Sequence, residues 1–256
     1  MSLKITVITV CYNSAATIRD TLVAVAQQDY KNFEHLVIDG ASTDGTVDII
    51  RQWIGHPVVL ISEPDSGIYD AMNKGLSQAS GDVIGFLNAD DFYADGSVLE
   101  KIACAFQGEQ TEACFGDLVY VSKDNRRIIR NWKSRAFVKG DFANGWCPAH
   151  PTFYVKRSAV ERCGFFDQSF KLASDVEFMM RYLEQGSVRF VYIPWVLVRM
   201  RVGGATNQSW RNVLQQNKEI LVALKKNLVP FTKIGFVTRK LQNRLWQYAT
   251  AHLGRA

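Results

Sequence analysis

Polar side chains able to do chemistry recur directly after short apolar runs in this sequence. Cys11-Tyr12-Asn13 follows the run 4–10, and Asp39 with Gly40-Ala41-Ser42-Thr43-Asp44-Gly45 follows 33–38. Ser62-Glu63-Pro64-Asp65-Ser66-Gly67 follows 58–61, and Asn88-Ala89-Asp90-Asp91 follows 83–87. An aromatic such as Tyr12 can stack on a base, and carboxylates such as Asp39 and Asp65 can accept from a base N–H or a ribose hydroxyl. The adjacent carboxylates Asp90 and Asp91 suit a hard divalent cation, Mn2+ or Mg2+, which takes oxygen ligands and commonly shares them with phosphates. Taken singly, each segment is equally at home as turn or helix-cap chemistry. Their repetition after four apolar runs points to a pocket for a nucleoside diphosphate and a metal ion.

Those residues need elements that bring them to one place. The run 4–10 is β-branched and apolar, as a buried parallel strand requires. Ile18, Leu22 and Val25 then fall at helical spacing. Residues 33–38 and 58–61 read as further strands, with a short helix over 46–53 between them. A helix over 67–79 precedes a fourth strand over 83–87. This alternation predicts an α/β fold with a mostly parallel sheet and helices on both faces. Ligands on such sheets bind beyond the carboxyl ends of the strands, where all four polar segments would open. Asp90-Asp91 could also cap a helix beginning near residue 95.

Beyond residue 112 the pattern loosens. Residues 113–121 and 127–132 could pair as a hairpin across 122–126, and 174–185 reads as a helix. Short strands are expected over 189–193 and 196–200, a turn at Gly203-Gly204, and a helix over 210–226. No internal repeat or low-complexity linker interrupts the chain.

Composition narrows the function classes. The 256 residues are 47% hydrophobic and 21% charged, ample for a sizeable core. No run approaches the roughly 18–20 apolar residues that span a bilayer, and the N-terminal segment lacks signal-peptide character. A cytoplasmic protein is the expectation. Five widely spaced cysteines without a C-x-x-C pair argue against a disulfide framework or structural zinc and are expected to be reduced, mostly buried thiols. The net charge of +5 is uneven: residues 220–256 hold seven Lys or Arg and no Asp or Glu, leaving 23 basic against 25 acidic residues in 1–219. A nucleic-acid-binding protein would spread basic residues over its working surface, so that partner is not expected. Absence of G-x-G-x-x-G after the first strand disfavours a dinucleotide oxidoreductase.

The segments VITVCYNS, VIDGASTDGT, EPDSGIYDAMNKG and GDVIGFLNADDFY, in this order, resemble the donor half of glycosyltransferase family 2. HPTFYVKRS, GFFDQSF and ASDVEFMMRYL resemble that family's acceptor half, and the likeness covers roughly residues 3–206. It implies a GT-A fold over 1–206, with a nucleotide-sugar half over 1–111 and an acceptor half over 112–206, followed by a helical basic extension over 207–256. It implies an inverting transfer of a sugar from a nucleotide diphosphosugar, favouring UDP, to an acceptor hydroxyl on a saccharide or lipid-linked acceptor, in cell-surface polysaccharide or glycolipid synthesis.

In that frame Tyr12 lies against the base, Asp39 hydrogen-bonds it, and Ser42 and Asp65 line the nucleotide site. Asn88 takes the first position of the Asp-x-Asp motif, which faces the ribose, and Asp90 keeps the metal ligand, with Asp91 beside it. Asp175 becomes the general base, although its position alone reads as an ordinary first-turn acid favoured by the helix dipole. Asp117, Trp146 and His150 are candidate acceptor contacts. Their plain alternatives are a hairpin surface residue, packing, and a structural loop histidine. Lys74 could reach a phosphate or be an exposed helical lysine. A sugar-phosphate nucleotidylyltransferase or a non-catalytic assembly scaffold stands as the alternative. The former would need a Gly-rich phosphate loop, which CYNSAATIRD lacks.

The extension ends in an amphipathic segment over 232–251. Ile234, Val237, Leu241, Leu245 and Tyr248 share one face, while Lys233, Arg239, Lys240, Asn243, Arg244 and Gln247 occupy much of the rest and Trp246 lies near the apolar edge. Such a helix suits packing on its own domain, a homo-oligomer contact, or peripheral contact with an anionic membrane at the inner face of the cell.

Overall fold

A computed structural model describes residues 3–108, 110–185, 188–203 and 210–253. Its centre is β1 (Ile5–Cys11), buried along its whole length. The unbroken apolar run arises because both sheet faces are covered: Val7 enters one core cluster, with Val25 and Val83, and Ile8 another, with Met72 and Leu76. α1 (Ile18–Ala26), β2 (Phe33–Asp39), α2 (Thr46–Arg51), β3 (Val59–Ser62), α3 (Ile68–Gln78) and β4 (Val83–Phe86) follow as the alternation predicts, within two residues at each boundary. β2 and β4 flank β1 in parallel, with β3 outside β2. All four carboxyl ends therefore open on one rim.

The second half departs further from the sequence pattern. It comprises β5 (Phe92–Tyr93), α4 (Val98–Ala105), β6 (Ala113–Val121), β7 (Ile128–Trp132), β8 (Tyr154–Lys156), α5 (Arg157–Cys163), α6 (Ser174–Glu184), β9 (Phe190–Arg201), α7 (Trp210–Lys226) and α8 (Lys233–Leu253). The sheet runs β3-β2-β1-β4-β8-β6-β9-β5, with β7 also on β6. The β6–β7 hairpin forms as expected, with a register shift at Tyr120/Val121. The two short strands expected after 188 are instead one strand, β9. Gly116 pairs with Ile193 and Asp117 with Val196, so Pro194 and Trp195 bulge out of the ladder. A proline has no N–H to give a ladder and is accommodated at such a bulge. The three-residue β8 carries too little periodicity to be read from sequence, yet it joins β4 to β6 and unites the two halves.

α3, α6 and α7 cover one face, where Leu76, Phe178 and Leu224 share a cluster; α4 covers the other through Val98, Leu99 and Ile102. Tyr154 fills the space over Gly85, where an added Cβ would meet its ring. All five cysteines are free, but only Cys11 and Cys114 are buried; Cys104 is exposed, and Cys147 and Cys163 are intermediate, fewer buried than expected. Among the described residues no helix is long and apolar enough to cross a membrane. The expected turn at Gly203-Gly204 lies partly outside the described residues, as do the side chains of Arg244, Trp246 and Tyr248.

Candidate active site

Strand register assembles the first part of the site. Cys11 pairs with Asp39 and Asp39 with Ser62, which places three polar side chains abreast at the strand ends. Asp39 is fully buried and receives Ser42 Oγ at 2.5 Å, Ser42 N at 3.0 Å and Ser62 Oγ at 2.7 Å. Burial pushes its carboxyl up, but these donors outweigh it and hold the pKa below the usual carboxylate range. The first two strand-end loops also interlock. Asn13 N donates to Ser42 Oγ, Thr43 N to Asn13 Oδ1, and Ala15 N to Asp44 Oδ2, at 2.8–2.9 Å. Asn13 and Ala41 adopt positive φ values of 48° and 60° to make these turns.

Above this rim the Tyr12 side chain is 64% exposed. A Cβ on Gly40 would collide with the Asp65 carboxylate and touch the Tyr12 ring, so glycine is what lets the three residues converge. Asp65 accepts from Gly67 N at 2.8 Å at the head of α3. Lys74 lies beside it, but its Nζ is engaged with Pro64 O at 2.7 Å and Glu63 at 2.9 Å. In this structure Lys74 fastens the loop that carries Asp65.

The loop after β4 separates two carboxylates that the sequence reading treats as a pair. Asp91 is fully buried, with Oδ1 receiving Arg201 N at 3.3 Å and Oδ2 receiving the Asn88 amide at 3.4 Å. Burial and then neighbouring Asp90 push its carboxyl well up. Asp91 thus closes the loop onto the end of β9, because both its oxygens are committed inside the protein. Asp90 is only partly buried; burial raises its pKa, opposed by its own backbone N–H and the charge of Arg201. Thr21 Oγ1 steadies the loop through the carbonyls of Asn88 and Asp91, and Asn88 Oδ1 is buried without a partner. Among the described residues no three Cys, His, Asp or Glu side chains are grouped to hold a metal. One accessible carboxylate fits a cation that takes most of its remaining ligands from phosphate and water.

The second half of the chain supplies Asp175 in the first turn of α6. Its Oδ1 accepts from Tyr69 OH at 3.1 Å, a bond joining α3 of the first half to α6 across 106 residues of chain. Burial first, then Asp175, drives the Tyr69 phenol well above its usual pKa, so Tyr69 remains a donor. Tyr69 lies within a segment noted in the sequence but was not itself singled out; its tyrosine type in a helix carries no signal without the contact. His150 lies near this pair. It is buried against Phe86 and Phe166, with centroids 5.4 and 5.6 Å away, and its Nε2 lacks a hydrogen-bond partner. Burial lowers its pKa, with Asp175 pulling the other way.

The other two acceptor candidates have structural places. Asp117 is buried at the β6–β9 bulge, where Oδ1 receives Ser134 N at 2.7 Å and Tyr192 OH at 2.8 Å. It is not a hairpin surface residue, being buried there. Trp146 packs among Phe115 and Phe137, with the Arg135 guanidinium 4.6 Å from its ring centre. Arg201 was not anticipated: it pairs with Asp20 at 2.5 Å and stacks on Phe92 beside the Asp90 loop. Nothing in the local sequence marks it, since it reaches the site from the end of β9.

Residues 6–172 match the family described as Glycosyl transferase family 2. The chain belongs to glycosyltransferase family 2. Membership makes the protein a glycosyltransferase. Two Mycobacterium tuberculosis proteins are similar over most of its length. One, an uncharacterized glycosyltransferase, is 32% identical over 181 residues, covering 69% of this chain and 68% of that protein. The other, a PGL/p-HBAD biosynthesis glycosyltransferase, is 27% identical over 201 residues, covering 76% of each. Among solved structures, Staphylococcus aureus TarS 1–349 in complex with UDP-GlcNAc superposes with a TM-score of 0.66 at 19% identity, over 99% of this chain and 74% of that one. Mannosyltransferase PcManGT from Pyrobaculum calidifontis, in complex with GDP-Man and Mn2+, gives 0.65 at 21% identity with the same coverage. These solved structures share the α/β fold of this chain.

Proposed function

We propose that this family 2 glycosyltransferase moves a sugar from a nucleoside diphosphate sugar to an acceptor hydroxyl with inversion, assisted by a divalent cation. Tyr12 stacks on the base, the Asp39–Ser42–Ser62 cluster and Asp65 receive the nucleoside, and Asn88 offers its unpartnered Oδ1 to a ribose hydroxyl. Asp90 holds Mn2+ or Mg2+; when bound, the cation stabilises charge developing on the departing diphosphate. Asp175 accepts the proton of the acceptor hydroxyl as its oxygen bonds to the anomeric carbon. The bond from that carbon to the diphosphate oxygen breaks on the opposite face, and its electron pair leaves with the nucleoside diphosphate. Tyr69 orients Asp175 by donating to Oδ1.

The observation that carries this reading is the Tyr69–Asp175 hydrogen bond, which sets a carboxylate of the acceptor half against the donor half. Donor complexes of TarS and PcManGT support a nucleotide-sugar substrate, with UDP the first nucleotide to test. The proposed role is in cell-surface glycolipid or polysaccharide synthesis, with a saccharide or lipid-linked acceptor and work at the cytoplasmic face of the membrane; a relative named for PGL/p-HBAD biosynthesis supports a biosynthetic role. Asp175→Asn is the decisive test. Calorimetry should give donor affinity within about threefold of the wild type while transfer falls on the order of 10³-fold, within the range that general-base catalysis supplies. Wild-type transfer by the variant would remove Asp175 as the base.

A further inference from the structure

α8 docks with the face that its composition does not suggest. Phe236 is buried in the main core, the Lys240 backbone and Cβ lie against Gly145, and Asn243 reaches the carbonyl of Asn144. Arg239 bonds the Asn144 side chain, and Lys240 Nζ bonds Asn217 Oδ1 at 2.6 Å. The aliphatic stripe points away: Ile234 is 80% exposed, Val237 57%, Leu241 59% and Leu245 63%. At about 100° per residue these four fall within an arc of roughly 80°, on the side opposite Phe236 and Asn243. Leu228, just before α8, is also exposed. A contiguous apolar surface of this kind marks an interaction site.

Charge decides what covers it. Residues 220–256 contain seven basic and no acidic residues, and Lys225 and Lys233 are exposed near the start of the stripe. A second copy would bring one acid-free helix against another, like charge facing like charge, whereas an anionic surface complements it. Among the described side chains the stripe is aliphatic. Acyl chains demand no shape complementarity, and a helix with an aliphatic face and cationic surroundings lies well in an anionic lipid interface. We propose that Ile234, Val237, Leu241 and Leu245 form a monotopic docking face that inserts into an anionic lipid surface, with Lys225 and Lys233 at the headgroups. This deepens the membrane-face part of the proposed function and is independent of the transfer chemistry.

The test uses the full chain and vesicles of phosphatidylcholine with or without phosphatidylglycerol, read by co-sedimentation at low and high salt. Wild-type protein should partition at least tenfold more strongly onto the anionic vesicles and be released by salt. A variant combining Ile234→Ser, Val237→Ser, Leu241→Ser and Leu245→Ser should lose at least tenfold in partitioning, with its thermal midpoint retained because the altered side chains are exposed. Lys225→Glu with Lys233→Glu should weaken binding to anionic vesicles without changing the apolar stripe. Equal partitioning of wild type and the quadruple variant overturns the proposal. So does a wild type that ignores vesicles but is dimeric by light scattering while the variant is monomeric, which assigns the stripe to a second copy. Capture of an acidic protein through the stripe, with no vesicle binding, overturns it likewise. No arm needs turnover, so an active Asp175→Asn enzyme would leave this result standing.

Discussion

At the residue scale, the loop after β4 illustrates how neighbouring identical side chains acquire different tasks. Asp91 is enclosed and bonded to Arg201 N and Asn88, whereas Asp90 retains an accessible carboxylate. Asp90→Ala should abolish the Mn2+ or Mg2+ dependence of donor binding in calorimetry and reduce turnover by at least 10²-fold, since the charge stabilisation it anchors is among the larger contributions to such barriers. Undiminished metal-dependent turnover in the variant would refute that assignment. A second residue-scale feature lies away from the site. Trp53 Nε1–H can only donate, so His56 Nδ1 accepts it at 3.2 Å. His56 Nε2–H then donates to His35 Nδ1 at 3.1 Å, and His35 Nε2–H to Thr9 Oγ1 at 2.9 Å.

That chain requires both imidazoles to be neutral. Burial, then the neighbouring His56, lowers the His35 pKa to about 3, and burial lowers those of His56 and His150. The unfolded chain takes up these protons first as the pH falls below about 6.5, so stability present above that value is lost on acidification. His35 alone contributes a slope of about 1.4 kcal/mol per pH unit below its unfolded pKa. Urea midpoints should therefore be lower at pH 5.0 than at pH 7.5, in a window above most carboxylate titration. Equal midpoints would show that the pair does not stay neutral.

At the element scale, the donor half was legible because its signals are local. β1, β2 and β4 are apolar runs that are wholly or largely buried, β3 is an apolar run half-exposed at the sheet edge, and β1 to β3 are each followed by turn residues that lead into the next helix. β8 and the continuity of β9 were not legible, for a shared reason: their pairing is decided by distant partners. β8 has three residues, and β9 runs through Pro194 only because β6 meets it with a bulge. The junction β4–β8 depends on a glycine. A Cβ at Gly85 would drive into the Tyr154 ring, whose hydroxyl is bonded to Tyr93 OH at 2.5 Å in a fully buried pair. Gly85→Ala should therefore destabilise the protein by about 1–3 kcal/mol through overpacking. Thermal unfolding provides the measurement, and an unchanged midpoint would mean that Tyr154 can move aside.

At the scale of the whole molecule, two properties arise from assembly. The first and second halves of the chain meet at Tyr69 and Asp175, so the proposed base is placed by tertiary contact between α3 and α6 and by the interlocking of β8 with β4 and β6. The positive charge is segregated: the body formed by 1–219 is mildly acidic, while the acid-free tail carries the excess. In the proposed function a cation at Asp90 lets such a body hold a diphosphate. In the proposed membrane docking the tail's charge concerns where the enzyme works, and its aliphatic stripe faces outward.

The sequence by itself determined the family, the parallel donor half and the candidate residues at its strand ends, because apolar periodicity and turn chemistry act over a few residues. It also carried the amphipathic pattern of the last helix. Only the tertiary structure decided which side of that helix docks, which of two adjacent aspartates is only partly buried, and that Asp117 is buried while Trp146 packs, partly buried, against Phe115 and Phe137. Each of those outcomes depends on burial and on partners far away in the chain, and neither quantity is written in the spacing of residues.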